Sequence, residues 1–436
     1  MKKIMILAAS AALVLAGCAK NDVYQNTTDQ NAVSFGVYAG NTATKATYGD
    51  LTTANIKEST DGFGVFDYYT QNTAWASAAS SATPNFMYNQ KVKYNESANT
   101  TLYPAKWEYT PLKYWPNGTN DTEVTSGTYG DYITFFAYAP HTAVTPSTGI
   151  VVDATAYPSS TEGVTAVSTN AAPNVPTVMF TVPANAKEQI DLLWATPMQD
   201  QQHMNLSGKV AFTFNHALAK LNVQVRNVVD AVSSTTPTAN ITDDKDATLE
   251  NNETWVILQS LTVKANGTKT GTLNLNDGTW TSTSGNSIIT YDTDAFNLGK
   301  SGATWNYDAN DNTITVSADS KEGFKVIETA LDLNSNISPM IIPITADGGI
   351  AIGDFIITAD YWVITKDPAL ASGYSTVHQV ITKSNTAKIS FAAGKKHNIL
   401  VDLGLNSVDF NVTAVTPWDA ATPDPYNEVE LPANAS

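Results

Sequence analysis

The residue with the plainest chemistry is Cys18, the only cysteine among 436 residues. Its thiol is a nucleophile, and it closes a short apolar run, Ile4 to Ala16, that follows the charged pair Lys2 and Lys3. A positive start and an apolar core of this kind make a secretion signal. The small residues Ala16 and Gly17 let the bond before Cys18 enter a peptidase. A lone cysteine excludes an internal disulfide framework and any multi-cysteine metal site. The five histidines, His141, His203, His216, His378 and His397, include no i, i+4 pair of the kind that binds zinc on a helix. For His216 a structural hydrogen bond is expected. No Gly-x-Ser-x-Gly elbow, phosphate loop or His-Glu-x-x-His occurs. Asp308, Asn310 and Asn312 imitate the first ligands of a calcium loop, but Thr313 stands where that loop needs glycine, so a hairpin turn is expected instead. Trp75, Trp107, Tyr109, Tyr114 and Trp115 have the chemistry to stack on sugar rings, and equally the bulk to fill a core. No catalytic residue, metal or cofactor is expected.

Composition narrows the function further. Lys and Arg number 24 against 41 Asp and Glu, so the net charge is 24 − 41 = −17. Neutralising phosphates needs clustered cations, which argues against a nucleic-acid partner. Charged residues make up 15% of the chain and hydrophobic ones 42%, too apolar a balance for a disordered protein. After the leader, no apolar stretch approaches the length of a membrane-spanning helix. The length is that of two or perhaps three domains.

The elements that must carry these residues are strands. Apolar and polar residues alternate in Val33-Ser34-Phe35-Gly36-Val37, in Val210 to Phe214, in Leu221 to Val225, in Thr313 to Val316 and in Phe410 to Thr413. Period two puts one face toward a core and one toward water. Asn276-Asp277-Gly278 is a strong hairpin turn, and Asp347-Gly348-Gly349 separates two further apolar runs. Asn215 to Leu221 and Pro368 to Ser372 have the composition of single helical turns. The class is all-β, with Greek-key sandwiches as the expected architecture. The expected division is a signal peptide over 1–18, a polar tether over 19–31, a β-sandwich domain over 32–205, and a second one with a C-terminal tail over 206–436.

Leu15-Ala16-Gly17-Cys18 resembles the lipobox of a bacterial lipoprotein, in which the cysteine sulfur takes up a lipid. The body resembles, in order, the fimbrillin-type subunits of the Bacteroidales. The matching blocks are Ala43-Thr44-Lys45-Ala46-Thr47, Phe63-Gly64-Val65-Phe66, Asn85 to Val92, Trp107 to Pro116, Phe135 to Pro140, Phe214 to Leu221, Phe391 to His397 and Val415-Thr416-Pro417-Trp418. Each block alone is weak; the ordered set is specific.

The resemblance implies two transthyretin-like β-sandwiches and a structural subunit of surface fimbriae. It implies lipidation at Cys18, display at the outer membrane, and proteolytic cutting between Lys45 and Ala46. The best-known members carry arginine where this chain has Lys45. Cutting would remove a strand with Val33, Phe35 and Val37 pointing inward, and a strand from another subunit would fill the groove. Ser407 to Val415 reads as the last strand of its own domain, which leaves the tail with Val429 and Leu431 as donor. The expected partners are other fimbrial subunits, the outer membrane before processing, and a host glycan or protein in adhesion. The alternative is a lipid-anchored glycan-binding protein of the outer membrane, which would keep its N-terminal strand and expose an aromatic row.

Overall fold

The computed structural model describes residues 32–39, 51–116, 131–153, 161–202, 209–229, 254–292, 306–308, 313–315, 324–326, 330–334, 339–366, 369–370 and 374–417. The chain is all-β, built from several sheets. Among the described residues no helix is long and apolar enough to cross a membrane.

The first sheet has eight strands. Ser34–Tyr38, Lys209–His216, Leu193–Ala195, Tyr132–Ala139, Phe63–Gln71, Met87–Tyr94 and Trp107–Glu108 lie side by side, and Met198–Gln201 also pairs with Tyr132–Ala139. Tyr132–Ala139 is buried on both faces from Ile133 onward. That explains its almost unbroken apolar run, since a strand covered twice has no use for alternation. Lys209–His216, by contrast, keeps strict alternation, with Val210, Phe212 and Phe214 in the core.

Two further sheets enclose a second core. In one, Ala219–Asn227 runs parallel to Lys395–Leu403, which pairs antiparallel with Val408–Pro417. In the other, Thr254–Asn274 pairs with Phe355–Lys366, and that strand pairs with Tyr374–Ser384. Thr254–Asn274 also forms a hairpin with Trp280–Asp292, closed by the turn at Asn276-Asp277-Gly278 with Leu273 opposite Trp280. Gly278 is at φ +71, and a Cβ there would come within 2.3 Å of the Trp194 indole, so the turn needs glycine twice over.

At one short crossover the chain passes from the first core to the second. Ala217 and Leu218 belong to the first, Ala219 and Leu221 to the second. The helical turn expected over Asn215 to Leu221 is not there. Asn215 and His216 end one strand, the Ala217 N–H donates to the Leu192 carbonyl at 2.8 Å, and Ala219 starts the next. Both flanks find ladder partners, His216 opposite Leu193 and Leu221 opposite His397, and this pairing overrides the local preference of the alanines. The strand Thr254–Asn274 serves both cores, with Val256 to Ala265 in the second and Leu273 in the first.

Other turns behave differently from their sequence signals. Ile344 and Ile350, on either side of the Asp347-Gly348-Gly349 turn, do not pair with each other; they bridge to Phe391 and Ile389. A short helix, Thr53–Glu58, went unread in the sequence although Thr52 caps it by accepting from the Asn55 N–H at 3.3 Å. Asn306–Asp308 pairs antiparallel with Thr313–Thr315, as a hairpin rather than a calcium loop requires.

Candidate strand-exchange site

Val33, Phe35 and Val37 are buried, and so are Ser34 and Tyr38 between them. The alternation predicts one wet face for this strand; the structure covers both. Phe35 occupies an aromatic cage. It stacks on Phe212 at 5.8 Å and meets Tyr109, Phe63 and Phe135 edge-on at 5.4, 6.1 and 6.3 Å. Offset and edge-to-face contacts of this kind add to the burial of the ring itself.

The strand Ser34–Tyr38 pairs with Lys209–His216, parallel, from Ser34 opposite Lys209 to Tyr38 opposite Thr213. Its other edge is strapped. The Val33 N–H donates to the Lys113 carbonyl at 3.0 Å, and the Tyr109 hydroxyl donates to the Val33 carbonyl at 2.7 Å. Ala32 bridges to Tyr114, and at the far end the Ala39 N–H donates to Thr53 Oγ1 at 2.8 Å. The strap is pinned by its own indoles: Trp107 packs edge-on against Phe63 at 5.3 Å and Trp115 against Phe135 at 5.7 Å.

Two ionisable groups lie close to this arrangement. Asp67 is fully buried, and neither of its carboxylate oxygens has a hydrogen-bond partner. Burial holds its carboxyl well above the usual range, while the Lys113 ammonium pulls the other way. Lys209, opposite Ser34, keeps its Nζ buried without a hydrogen-bond partner, and burial lowers the pKa of that ammonium.

The other sequence candidates fall as follows. Cys18, Lys45, Ala46, Val429 and Leu431 lie outside the described residues. Trp75, Trp107, Tyr109 and Trp115 are core residues, and Tyr114 is half-buried, so these rings form no exposed stacking row. Trp75 meets Tyr68 at 5.0 Å and Phe136 at 5.3 Å. His216 bonds through Nδ1 to Asp191, His141 through Nε2 to the Asn89 carbonyl at 3.2 Å, and His378 through Nε2 to Asp360 at 2.7 Å. His397 Nε2 takes the Ala392 N–H at 3.0 Å, and His203 lies outside the described residues. Among the described residues no three His, Cys, Asp or Glu side chains gather closely enough to hold a metal.

Sequence reasoning named Tyr109 only as a stacking or core aromatic and gave no role to Lys113 or Lys209. Trp107 and Tyr109 stand two apart, a same-face spacing that marks an extended segment. Lys209 heads an alternating run in which every second residue faces inward, so its outward position was readable. Its buried Nζ was not, because that depends on what covers the face.

Comparison with known proteins bears on this geometry. The model of the fimbrillin-like family matches residues 44–418. A protein described as fimbrium subunit Fim1C, from Phocaeicola vulgatus, is 27% identical over 426 residues, covering 93% of this chain and 94% of its own. The crystal structure of a fimbrial protein from Bacteroides vulgatus superposes with a TM-score of 0.61 at 23% identity, covering 89% of this chain and 99% of that one, which is a likeness of fold.

Proposed function

This chain belongs to the fimbrillin-like family, and we propose that it is a structural subunit of surface fimbriae that polymerises by strand exchange. The observation that carries the reading is the strand Ser34–Tyr38. It is buried throughout, yet its one strand partner among the described residues, Lys209–His216, lies far away in the sequence, and no tight turn links them. Withdrawing it opens a groove with an unpaired strand edge and the vacated places of Val33, Phe35 and Val37. Burying each of those side chains is worth roughly 1.5–3 kcal/mol. An incoming strand that alternates apolar residues recovers the ladder and that burial together.

In this reading Cys18 carries the lipid that holds the precursor at the outer membrane. A trypsin-like protease cuts between Lys45 and Ala46, and the tail containing Val429 and Leu431 enters the groove of a neighbour. The chain then forms two β-sandwich domains, and Leu218 and Ala219 are one place where it passes from one core to the other. The strand Val408–Pro417 stays in its own sheet, paired to Lys395–Leu403, so the tail beyond it is the donor. Its work is binding, with adhesion as the outcome. The glycan-binding alternative draws no support from the aromatic block, which is spent on the core.

The test is to treat the folded full-length chain with a trypsin-like protease, sequence the new N-terminus and image the product. A terminus at Ala46 together with filaments supports the reading. A chain cut at Ala46 that stays monomeric overturns it.

A further inference from the structure

We infer that Lys209 selects the incoming strand by pairing with a glutamate from the tail of a second copy of this chain. The inference rests on the strand-exchange reading and adds the chemistry of the partner to it. Lys209 and Ser34 are register partners, so their side chains share the face of the sheet opposite Val33, Phe35 and Val37. The Lys209 Nζ is buried and makes no hydrogen bond, although a buried ammonium is stable only when paired. In the described strand the neighbour at that position is a serine, which brings no countercharge.

The tail supplies one. Its sequence is Asn427-Glu428-Val429-Glu430-Leu431-Pro432-Ala433, with apolar and acidic residues in alternation. Laid parallel in the groove with Asn427, Val429 and Leu431 in the places of Val33, Phe35 and Val37, it sets Glu428 beside Lys209. Shifted by two, with Val429, Leu431 and Ala433 facing inward, it sets Glu430 there instead. Both of these registers therefore deliver a carboxylate to the ammonium.

The peptide bonds choose between the two registers. Val33 turns its N–H and C=O to the strap, so by alternation Gly36 turns its own toward Lys209–His216. The shifted register puts Pro432 at that place, and proline has no N–H for the ladder. The first register, with Glu428 opposite Lys209, moves that proline to the last place of the strand, that of Tyr38, so the ladder loses a bond only at its end. The partner is thus an acidic alternating strand: the pair fixes its face, and the place of the proline favours one register.

The experiment is a charge exchange in the full chain, folded and then cut after Lys45, with filament growth followed by light scattering. Lys209→Glu, and separately the double variant Glu428→Lys with Glu430→Lys, should each slow assembly by about tenfold or more, since a buried charge loses its partner and meets a like one. Combining the three changes should restore growth to within about threefold of wild type, because the pair is rebuilt with its signs exchanged. Lys209→Met provides a milder variant that keeps the stem, and the unfolding midpoint of each uncut variant shows whether it still folds. Normal growth of folded Lys209→Glu or Lys209→Met overturns the pairing, as does failure of the combined variant to recover. Wild type that is cut but does not assemble removes the strand-exchange reading, and this pairing with it.

Discussion

The hydroxyl of Tyr109 donates to the carbonyl of Val33 at 2.7 Å while its ring stands edge-on to Phe35 at 5.4 Å. One side chain thus holds both the backbone and the core residue of the strand proposed to leave. Tyr109 sits on the strap between Trp107 and Trp115, and the same strap gives the Lys113 carbonyl to the Val33 N–H. Before anything can take the place of Ser34–Tyr38, this outer edge has to let go.

Tyr109→Phe removes the hydroxyl and keeps the ring. It should cost about 1 kcal/mol of stability, the usual net worth of one such bond. Amide hydrogen exchange over residues 32–39 should quicken more than exchange in the central strand Tyr132–Ala139. Equal quickening in both would mean that the bond is no latch on this strand.

Phe35→Ala empties the aromatic cage. The expected loss is about 3–5 kcal/mol in denaturant unfolding, as for other buried phenylalanines. A loss under about 1 kcal/mol would mean that the cage collapses freely around the gap and that Phe35 is no anchor.

Asp67 gives a pH dependence with a definite sign. Its folded carboxyl keeps its proton where the unfolded one gives it up, because burial outweighs the pull of the Lys113 ammonium. The folded state therefore binds more protons, and its stability falls as pH rises from the unfolded carboxyl range through the raised folded value. Asp67→Asn should be more stable than wild type at neutral pH, and the difference should vanish in acid. Thermal unfolding of the two proteins at several pH values reads this directly.

His141 acts in the opposite direction. Burial first, and the Lys91 charge second, lower its pKa to about 4. The neutral form is favoured in the fold, so stability is full above the unfolded value of about 6.5 and drains as pH falls toward about 4. The contribution at stake is on the order of 3 kcal/mol. His141→Gln should flatten the stability curve between those two values relative to wild type.

The sequence disclosed what is local and concealed what is not. Asn276-Asp277-Gly278 announced its hairpin because the turn chemistry and both strands lie within a few residues. The final strand Val408–Pro417 was equally readable, since its alternation needs only one dry face. The parallel pairing of Ser34–Tyr38 with Lys209–His216 has no such signature, because no short turn joins the two and the register is set by the whole sheet. The second dry face of Ser34–Tyr38 was hidden for the same reason. Trp107, Tyr109 and Trp115 were noticed as a block, but stacking platform and core filler have the same sequence; only burial separates them. At Asn215 to Leu221 local preference and pairing disagreed, and pairing won.

The central claim is that Ser34–Tyr38 must leave its sheet for the chain to polymerise. Gly36 and Ala211 are register partners across the parallel pair, at a separation a disulfide spans. In a chain with Cys18→Ser, the changes Gly36→Cys and Ala211→Cys staple the strand in place. After cutting at Lys45, the oxidised protein should remain monomeric, and adding a reductant should release the strand and start filament growth. Filaments that grow as fast from the oxidised protein as from the reduced one would contradict the account.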